Sequence, residues 1–116
     1  MLFYHESWDI MIIKDHGTHL FPDNTLEILN KSAAQQLKKK YTFQADPFLI
    51  EKDDKLYVFY EALSFRNSKG TLRCRVLDRE LVELEDIRLE GFDDLKCHLS
   101  FPYLIHINDQ LFMIPE

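Results

Sequence analysis

The chain after residue 43 consists largely of short runs in which apolar and polar positions alternate, the pattern of β-strands with one face in a core. Two such runs, residues 47–51 and 56–61, flank the polar turn at residues 52–55 and predict a β-hairpin. Another pair of runs surrounds the polar residues 108–110 and predicts a second hairpin. The predicted strands comprise residues 8–13, 47–51, 56–61, 71–77, 82–89, 101–107 and 111–114.

The fourth of these predicted strands shows the alternation most clearly. Leu72, Cys74 and Val76 share one face, while Arg73 and Arg75 share the other. We therefore expect an antiparallel sheet that has one apolar face in a core and one charged face.

A different periodicity lies between the first two predicted strands. Leu26, Leu29, Ala33 and Leu37 recur every three or four positions, which places them on one face of a helix. The lysines that follow suit the negative end of a helix dipole. The sequence predicts a helix near residues 25–40, although a long connection with a single helical turn would fit the same pattern.

The chain also contains an internal repeat. Residues 45–61 align with residues 100–116 without a gap, at a constant offset of 55 positions (102 − 47). Six of the seventeen aligned positions are identical: Pro47/Pro102, Leu49/Leu104, Ile50/Ile105, Asp54/Asp109, Leu56/Leu111 and Glu61/Glu116. A repeat near 50 residues, built from short strands, is typical of β-propeller blades. The alternative is that any two hairpins share apolar alternation.

Composition and charge exclude several classes of protein. The 116 residues suit one domain, and two cysteines are too few for a disulfide scaffold. Twenty acidic against fourteen basic residues give a net charge of −6, which argues against a nucleic-acid partner. The apolar run at residues 10–13 is too short for a membrane span or a signal peptide. We therefore expect no membrane partner and a cytoplasmic location.

The repeated segments resemble a known family. Residues 45–50, followed by a polar turn and residues 56–61, are similar to the blade-opening motif of five-bladed propellers in glycoside hydrolase families 43 and 32, which include arabinanases, xylosidases and levansucrases. Residues 98–103 and 113–116 are more closely similar to a branch that includes the N-terminal domain of plant glucosamine inositolphosphorylceramide transferases and propellers attached to formyltransferase-like proteins. Residues 8–10 resemble the opening strand of that branch.

This resemblance implies an all-β fold with one helix, built from arabinanase- or levansucrase-like propeller blades and incomplete in one chain. The single partial domain, residues 1–116, would comprise an opening strand and helix (1–42), a first blade (43–99) and the inner hairpin of a second (100–116). A five-bladed ring needs about 250–300 residues at roughly 50 per blade. The expected partners are therefore further copies of the chain or the remaining blades of a longer chain; a smaller sandwich or barrel is the alternative fold.

The resemblance also implies a site. Asp46 matches the hydrolase aspartate that acts as general base or as nucleophile, while its ordinary role would be to cap the turn before Pro47. Phe101 stands where a second blade of those hydrolases carries another aspartate, and no third-blade acid is among the predicted elements. Phe101 and Tyr103 are candidates for stacking on a sugar, with core packing as the alternative. Glu61 would be either a solvated strand end or part of a pocket rim.

The leading hypothesis is a carbohydrate-related propeller module that binds or scaffolds a glycan through Asp46, Phe101 and Tyr103 and is not catalytic as this short chain. One alternative is a family 43-like glycosidase that uses Asp46 as general base. Another is a self-assembling interaction protein. No metal site and no cofactor are expected, because the histidines at residues 16 and 19 lack a helical context and no glycine-rich phosphate loop exists.

Overall fold

The computed structural model describes residues 7–13, 34–64, 69–92 and 94–116. Within these ranges the chain is all-β and contains no helix. The strands are β1 (Met11–Ile13), β2 (Ala34–Gln36), β3 (Phe43–Lys52), β4 (Lys55–Leu63), β5 (Gly70–Leu77), β6 (Glu83–Arg88), β7 (Tyr103–Ile107) and β8 (Gln110–Ile114).

Strands β3 to β6 form a four-stranded antiparallel meander, and β7 and β8 form a separate hairpin. Both predicted hairpins are thus confirmed. Their turns are alike: Asp53 and Asp54 have φ values of 51° and 60°, and Asn108 and Asp109 have values of 48° and 60°. Two consecutive left-handed residues are typical of type I′ turns, whose twist matches that of the strands they join.

One face of the meander packs against the first two strands. Ile10, Ile12 and Leu37 contact the buried side chains of β4 and the end of β5, and Leu37 N donates a hydrogen bond to the Ile10 carbonyl at 2.8 Å. This cluster of apolar residues is the main core. Its buried members are Ile10, Ile12, Leu37, Val58, Tyr60, Ala62 and Leu77.

The opposite face of the meander is also covered. Leu72, Cys74 and Val76 are buried there, as the alternation predicted. Phe48, which shares this face through its pairing with Phe59, contacts the aromatic side chains at the start of the last hairpin. The meander therefore lies between the β1–β2 pair and the β7–β8 hairpin.

Because both faces are covered, the expectation of a solvent-facing charged side is wrong for Arg75, which has no exposed surface. Its guanidinium donates to the Tyr60 hydroxyl at 3.0 Å, to Gln44 Oε1 at 2.7 Å and to the Lys38 carbonyl. Glu83 Oε2 lies 3.5 Å from Arg75 Nη1. These partners offset the cost of burying a charge, which is large when a charge is left unpaired.

The helix prediction is wrong where it overlaps the described residues. Ala34–Gln36 forms strand β2 and pairs antiparallel with β1, so its backbone groups bond across to another strand instead of along a helix. Leu37 then enters the core from an extended segment. The remainder of the predicted helix, residues 25–33, lies outside the described residues.

The N-terminal strand is shorter than residues 8–13: β1 is Met11–Ile13, and Trp8 makes an isolated parallel bridge to Phe43. The three sheets do not close into a ring within the described ranges, so the propeller and its division into blades stay predictions. Nothing in the described part of the chain is a helix of the length and hydropathy needed to cross a membrane.

Candidate functional site

Asp46 sits in a β-bulge of strand β3. Ala45 pairs with Glu61 and Phe48 pairs with Phe59, so β3 carries one more residue than β4 between these pairs. Asp46 takes up the extra residue with a φ of 51°, a left-handed conformation that Asp adopts more readily than most residues. The bulge, followed by Pro47, leaves the Asp46 side chain exposed at the strand edge.

The second hairpin repeats this bulge. Ser100 and Glu116 exchange backbone hydrogen bonds of 3.0 and 2.9 Å, and Tyr103 pairs with Ile114, so the same extra residue occurs at the offset of 55. Phe101 occupies it with a φ of 45°. A positive φ is unusual for a bulky residue and marks a backbone held by its surroundings. The aromatic side chain thus replaces the carboxylate at an equivalent backbone position.

Phe101 and Tyr103 are brought together by the structure. Their rings are parallel with centroids 6.5 Å apart, and Phe48 meets both edge-on, at 5.1 and 5.7 Å. Phe101 and Tyr103 nevertheless remain 43% and 45% exposed. Each ring therefore packs against Phe48 and is otherwise open to solvent, so core packing is only partial, and stacking on a sugar stays a prediction.

Glu61 lies on the partner strand of the first bulge and pairs with His98. Its Oε1 accepts a hydrogen bond from His98 Nε2 at 3.1 Å. His98 Nδ1 accepts from the backbone N–H of Gly70 at 2.9 Å, which fixes the neutral tautomer with the proton on Nε2. Glu61 is only 13% exposed in its side chain, so its interpretation as a solvated strand end is wrong.

A second carboxylate acts on Glu61. Burial raises the pKa of Glu61, the contact with His98 lowers it, and the neighbouring Asp46 carboxylate raises it again, with a net upward shift. Two carboxyl groups therefore share this corner of the sheet, and its surroundings raise the pKa of Glu61.

Asp46 and Glu61 line a shallow pocket of about 350 Å³. Its other lining residues are Trp8, Phe43, Ala45 and Leu63. Trp8 is 59% exposed and presents an open aromatic face. No hydrogen bond or ring contact joins Asp46 to Phe101 or Tyr103 within the described ranges, so the predicted site residues form two separate groups: an acidic pocket and an aromatic pair.

A metal centre is not evident among the residues that the structure describes, since no three His, Cys, Asp or Glu side chains are arranged to hold an ion. His98 uses both ring nitrogens in protein contacts. The arrangement offers hydrogen-bond acceptors, one carboxyl group with a raised pKa and exposed aromatic faces.

Sequence reasoning missed His98. The side chain belongs to an irregular segment whose position over Gly70 arises only when the chain passes from one hairpin to the next. The internal repeat did point to Glu61, because Glu116 is its identical counterpart at the offset of 55.

Comparisons with known proteins identify the family. Residues 12–116 match the family described as glucosamine inositolphosphorylceramide transferase 1, N-terminal. Over 76 residues, 64% of this chain, the sequence is 36% identical to glucosamine inositolphosphorylceramide transferase 1 of Arabidopsis thaliana and 33% identical to that of Oryza sativa subsp. indica. The chain spans about a tenth of these relatives, with 9% and 10% of their lengths covered. No solved structure matches the chain significantly. The chain therefore belongs to the glucosamine inositolphosphorylceramide transferase 1 N-terminal family, a carbohydrate-related family.

Proposed function

We propose that this chain is a carbohydrate-binding module whose binding site is the pocket at Asp46 and Glu61. The observation that carries the proposal is the left-handed bulge, which sets the Asp46 carboxylate beside Glu61 in a pocket walled by Trp8. Carboxylates accept hydrogen bonds from sugar hydroxyls, and an aromatic face packs against the apolar C–H face of a pyranose. The pocket thus offers both kinds of contact that a sugar makes.

The aromatic pair extends this surface. Phe101 and Tyr103 are half-exposed with parallel rings, and Phe48 supports them from behind. In our proposal the pocket takes one sugar residue and the aromatic pair contacts the next residue of the same glycan. The name of the relatives makes the glycan portion of an inositolphosphorylceramide the first ligand to test.

The same proposal includes a propeller architecture. Its support is the repetition of bulge and turn at one offset: left-handed residues at 46, 53 and 54 recur at 101, 108 and 109. The face-to-face succession of a two-stranded, a four-stranded and a two-stranded sheet is the order expected of successive blades. In such an arrangement both bulges would open on a common axis.

The binding test uses a glycan array followed by calorimetry on the strongest hits. Asp46→Asn removes the charge while keeping the shape, and we expect the affinity for the bound glycan to fall at least tenfold, about 1.4 kcal/mol. Phe101→Ala should weaken longer glycans more than monosaccharides, because its ring contacts the second sugar. Asp53→Asn is the matched control, since Asp53 is also an exposed Asp with a φ of 51° but lies in the β3–β4 turn. Equal losses for Asp46→Asn and Asp53→Asn would refute the site.

A second candidate function is glycoside hydrolysis, and the observation that favours it is the presence of Glu61 next to Asp46. Hydrolysis needs one carboxyl group that donates a proton and one that is ionised. The raised pKa of Glu61 and the exposure of Asp46 fit those two roles. Turnover of chromogenic arabinosides, xylosides or fructosides that disappears in Asp46→Asn would support this function. Absence of turnover between pH 4 and 9 would exclude it for this chain.

A further inference from the structure

A second pocket lies at the same end of the meander as the acidic pocket at Asp46 and Glu61. Its volume is about 370 Å³, and its lining residues come from the start of β5, the end of β6, the segments that flank these strands, and Tyr41. Gly70 of this lining pairs with Leu63, which lines the acidic pocket. Because neighbouring strands are about 4.8 Å apart, one ligand can reach both pockets.

This second pocket is basic in a chain that is acidic overall. Three of its ten lining residues are cationic, namely Lys69, Arg73 and Arg88, and none of the described lining residues is acidic. The whole chain has fourteen basic against twenty acidic residues. A cleft lined by charge of one sign concentrates ions of the opposite sign. We call this cleft the basic pocket, and its charge favours an anionic ligand.

Two of the three cations oppose each other directly. Arg73 of β5 pairs with Arg88 of β6, and like charges at directly opposite positions destabilise a sheet. Asp86 accepts from Arg73 Nε and Nη2 at 3.1 and 3.0 Å, but its other oxygen accepts from Lys40 at 2.9 Å, so one carboxylate serves two cations. Departures from such local rules are concentrated at functional sites. An anion bound between the two arginines would account for this one.

The cations keep hydrogen-bond donors for a ligand. Asp86 occupies Nε and Nη2 of Arg73, and no described contact uses its Nη1. The Tyr41 ring lies 5.5 Å from the centre of this guanidinium and helps to hold it in place. Lys69 donates to the Leu95 carbonyl, which takes one of the three protons of its ammonium group. Both side chains are thus anchored and still able to donate.

The number of cations indicates the kind of anion. A phosphate monoester carries about −1.5 to −2 charges near pH 7 and presents three strong acceptor oxygens. A carboxylate carries one charge and presents two oxygens. Three separate cationic side chains around one pocket therefore suit a phosphate group better than a carboxylate.

We propose that the basic pocket binds a phosphate group carried by the saccharide whose sugar ring occupies the acidic pocket. The saccharide part of this proposal rests on the proposed function, whereas the phosphate site rests on the arginines and Lys69. The carboxylates of Asp46 and Glu61 repel a phosphate, so the two pockets together fix the direction in which the ligand lies.

The test is a titration of the isotope-labelled chain, followed by the chemical shifts of its amides. The probes are glucose 6-phosphate, glucose, glucuronate and inorganic phosphate, at about pH 7.5 and low salt, where the phosphates carry close to two charges. We expect glucose 6-phosphate to shift the Thr71 and Leu89 amides. Its Kd should be at least about tenfold lower than that of glucose and lower than that of glucuronate, because charge-assisted hydrogen bonds are the stronger ones.

Arg88→Gln is the test variant, because the Arg88 side chain is exposed and glutamine removes its charge. The Kd for glucose 6-phosphate should rise at least about fivefold, since one of three charge-assisted contacts is lost. Arg79→Gln is the matched control. Arg79 is also an exposed arginine, but it lies between β5 and β6 at the other end of the meander, so its loss should leave the Kd unchanged.

Each outcome decides one part of the proposal. Equal affinity for glucose 6-phosphate and glucose, or equal effects of Arg88→Gln and Arg79→Gln, overturns the phosphate site. Inorganic phosphate that binds as tightly as glucose 6-phosphate overturns the link to a saccharide. Shifts at the Glu61 amide without shifts at Leu89 would retain the acidic pocket of the proposed function and overturn the basic pocket. Shifts at Leu89 alone would retain the phosphate site and contradict the proposed function.

Discussion

Gly70 lies where strand β5 passes closest to the Glu61–His98 pair. A Cβ atom added there would be 2.6 Å from His98 Cε1, 2.7 Å from Glu61 Oε1 and 2.7 Å from the Leu99 carbonyl oxygen. Real Cβ contacts are not this short, and one of the three groups is backbone. The absence of a side chain at residue 70 is therefore what allows the pair to form against the sheet.

Gly70→Ala should destabilise the chain by about 1–3 kcal/mol, the usual range for overpacking. Elsewhere in a strand the same substitution is expected to stabilise, because glycine weakens strand interiors by roughly 0.5–1 kcal/mol. Urea denaturation measures the difference, and Glu85→Ala, at an exposed position of β6, should change stability by less than about 0.5 kcal/mol. A stabilised Gly70→Ala variant would show that Glu61 and His98 do not crowd this position.

Glu61 should make the stability of the folded state depend on pH, and the direction of its pKa shift determines the sign of that dependence. Its pKa in the folded state is raised above the ordinary value of 4.5, chiefly by burial and further by Asp46, against the lowering effect of His98. The folded state thus binds the Glu61 proton more tightly than the unfolded state. The resulting stabilisation is present below the unfolded pKa and is lost as the pH rises through the folded pKa.

Glu61→Gln should therefore gain stability relative to the wild type as the pH is raised from 4 to 7, because glutamine stays neutral throughout. Paired urea titrations at several pH values measure this. For Glu51→Gln, at an exposed position of β3, the free energy of unfolding should differ little from that of the wild type over the same pH range. A Glu61→Gln curve parallel to that of the wild type would mean that the folded-state pKa is not raised.

At the scale of elements, local pattern predicted the hairpins because a turn and its two flanking strands are defined by adjacent residues. The offset of 55 even predicted that the two turns would be alike, and both have left-handed φ values at two positions. The predicted helix shows the limit of this reasoning. The spacing of Leu37 relative to residues upstream is helical, yet the pairing of β2 with β1 depends on residues about 25 positions earlier in the chain.

Arg75 shows the same limit for a single strand. Side chains alternate between the two faces of a strand, so Arg75 is predicted to lie on the face opposite Cys74, and it does. The alternation does not show which residues cover the face on which Arg75 lies. Tyr60, Gln44 and the Lys38 carbonyl come from three other segments, and together they convert an expected solvent-facing charge into a buried one. His98 was missed for the same reason, since its contacts with Glu61 and Gly70 are distant in sequence.

The second turn allows a prediction at this scale. Asp109 adopts a φ of 60° and is exposed. Asn-Gly is the preferred pair for type I′ turns, because glycine has no Cβ to oppose a positive φ. Asp109→Gly should therefore stabilise the chain by about 0.5–1 kcal/mol, measured by thermal or urea unfolding. Asp94→Gly, at an exposed position outside the strands, is the control; an equal gain there would contradict the turn argument.

At the scale of the whole molecule, the β7–β8 hairpin is held to the meander at few points. The aromatic contacts of Phe48 with Phe101 and Tyr103 join them, and Leu99 N donates to the Gly70 carbonyl at 3.2 Å in the segment before the hairpin. β4 and β5, by contrast, are flanked by strands on both sides. Segments with few buried contacts open at lower free energy than the core, so we expect the hairpin to open before the meander does.

Phe48→Ala should lower the opening free energy of the β7–β8 hairpin without affecting the meander to the same extent. Each aromatic contact contributes about 0.5–1.5 kcal/mol beyond burial, so losing two should speed hydrogen exchange at the Ile105 and Phe112 amides by roughly 5- to 150-fold. Leu49→Ala, the adjacent residue on the opposite face, should leave hairpin exchange unchanged. If Phe48→Ala accelerated exchange equally in β5 and β8, the chain would open as one cooperative unit, and the hairpin would not be the weakly attached part of the fold.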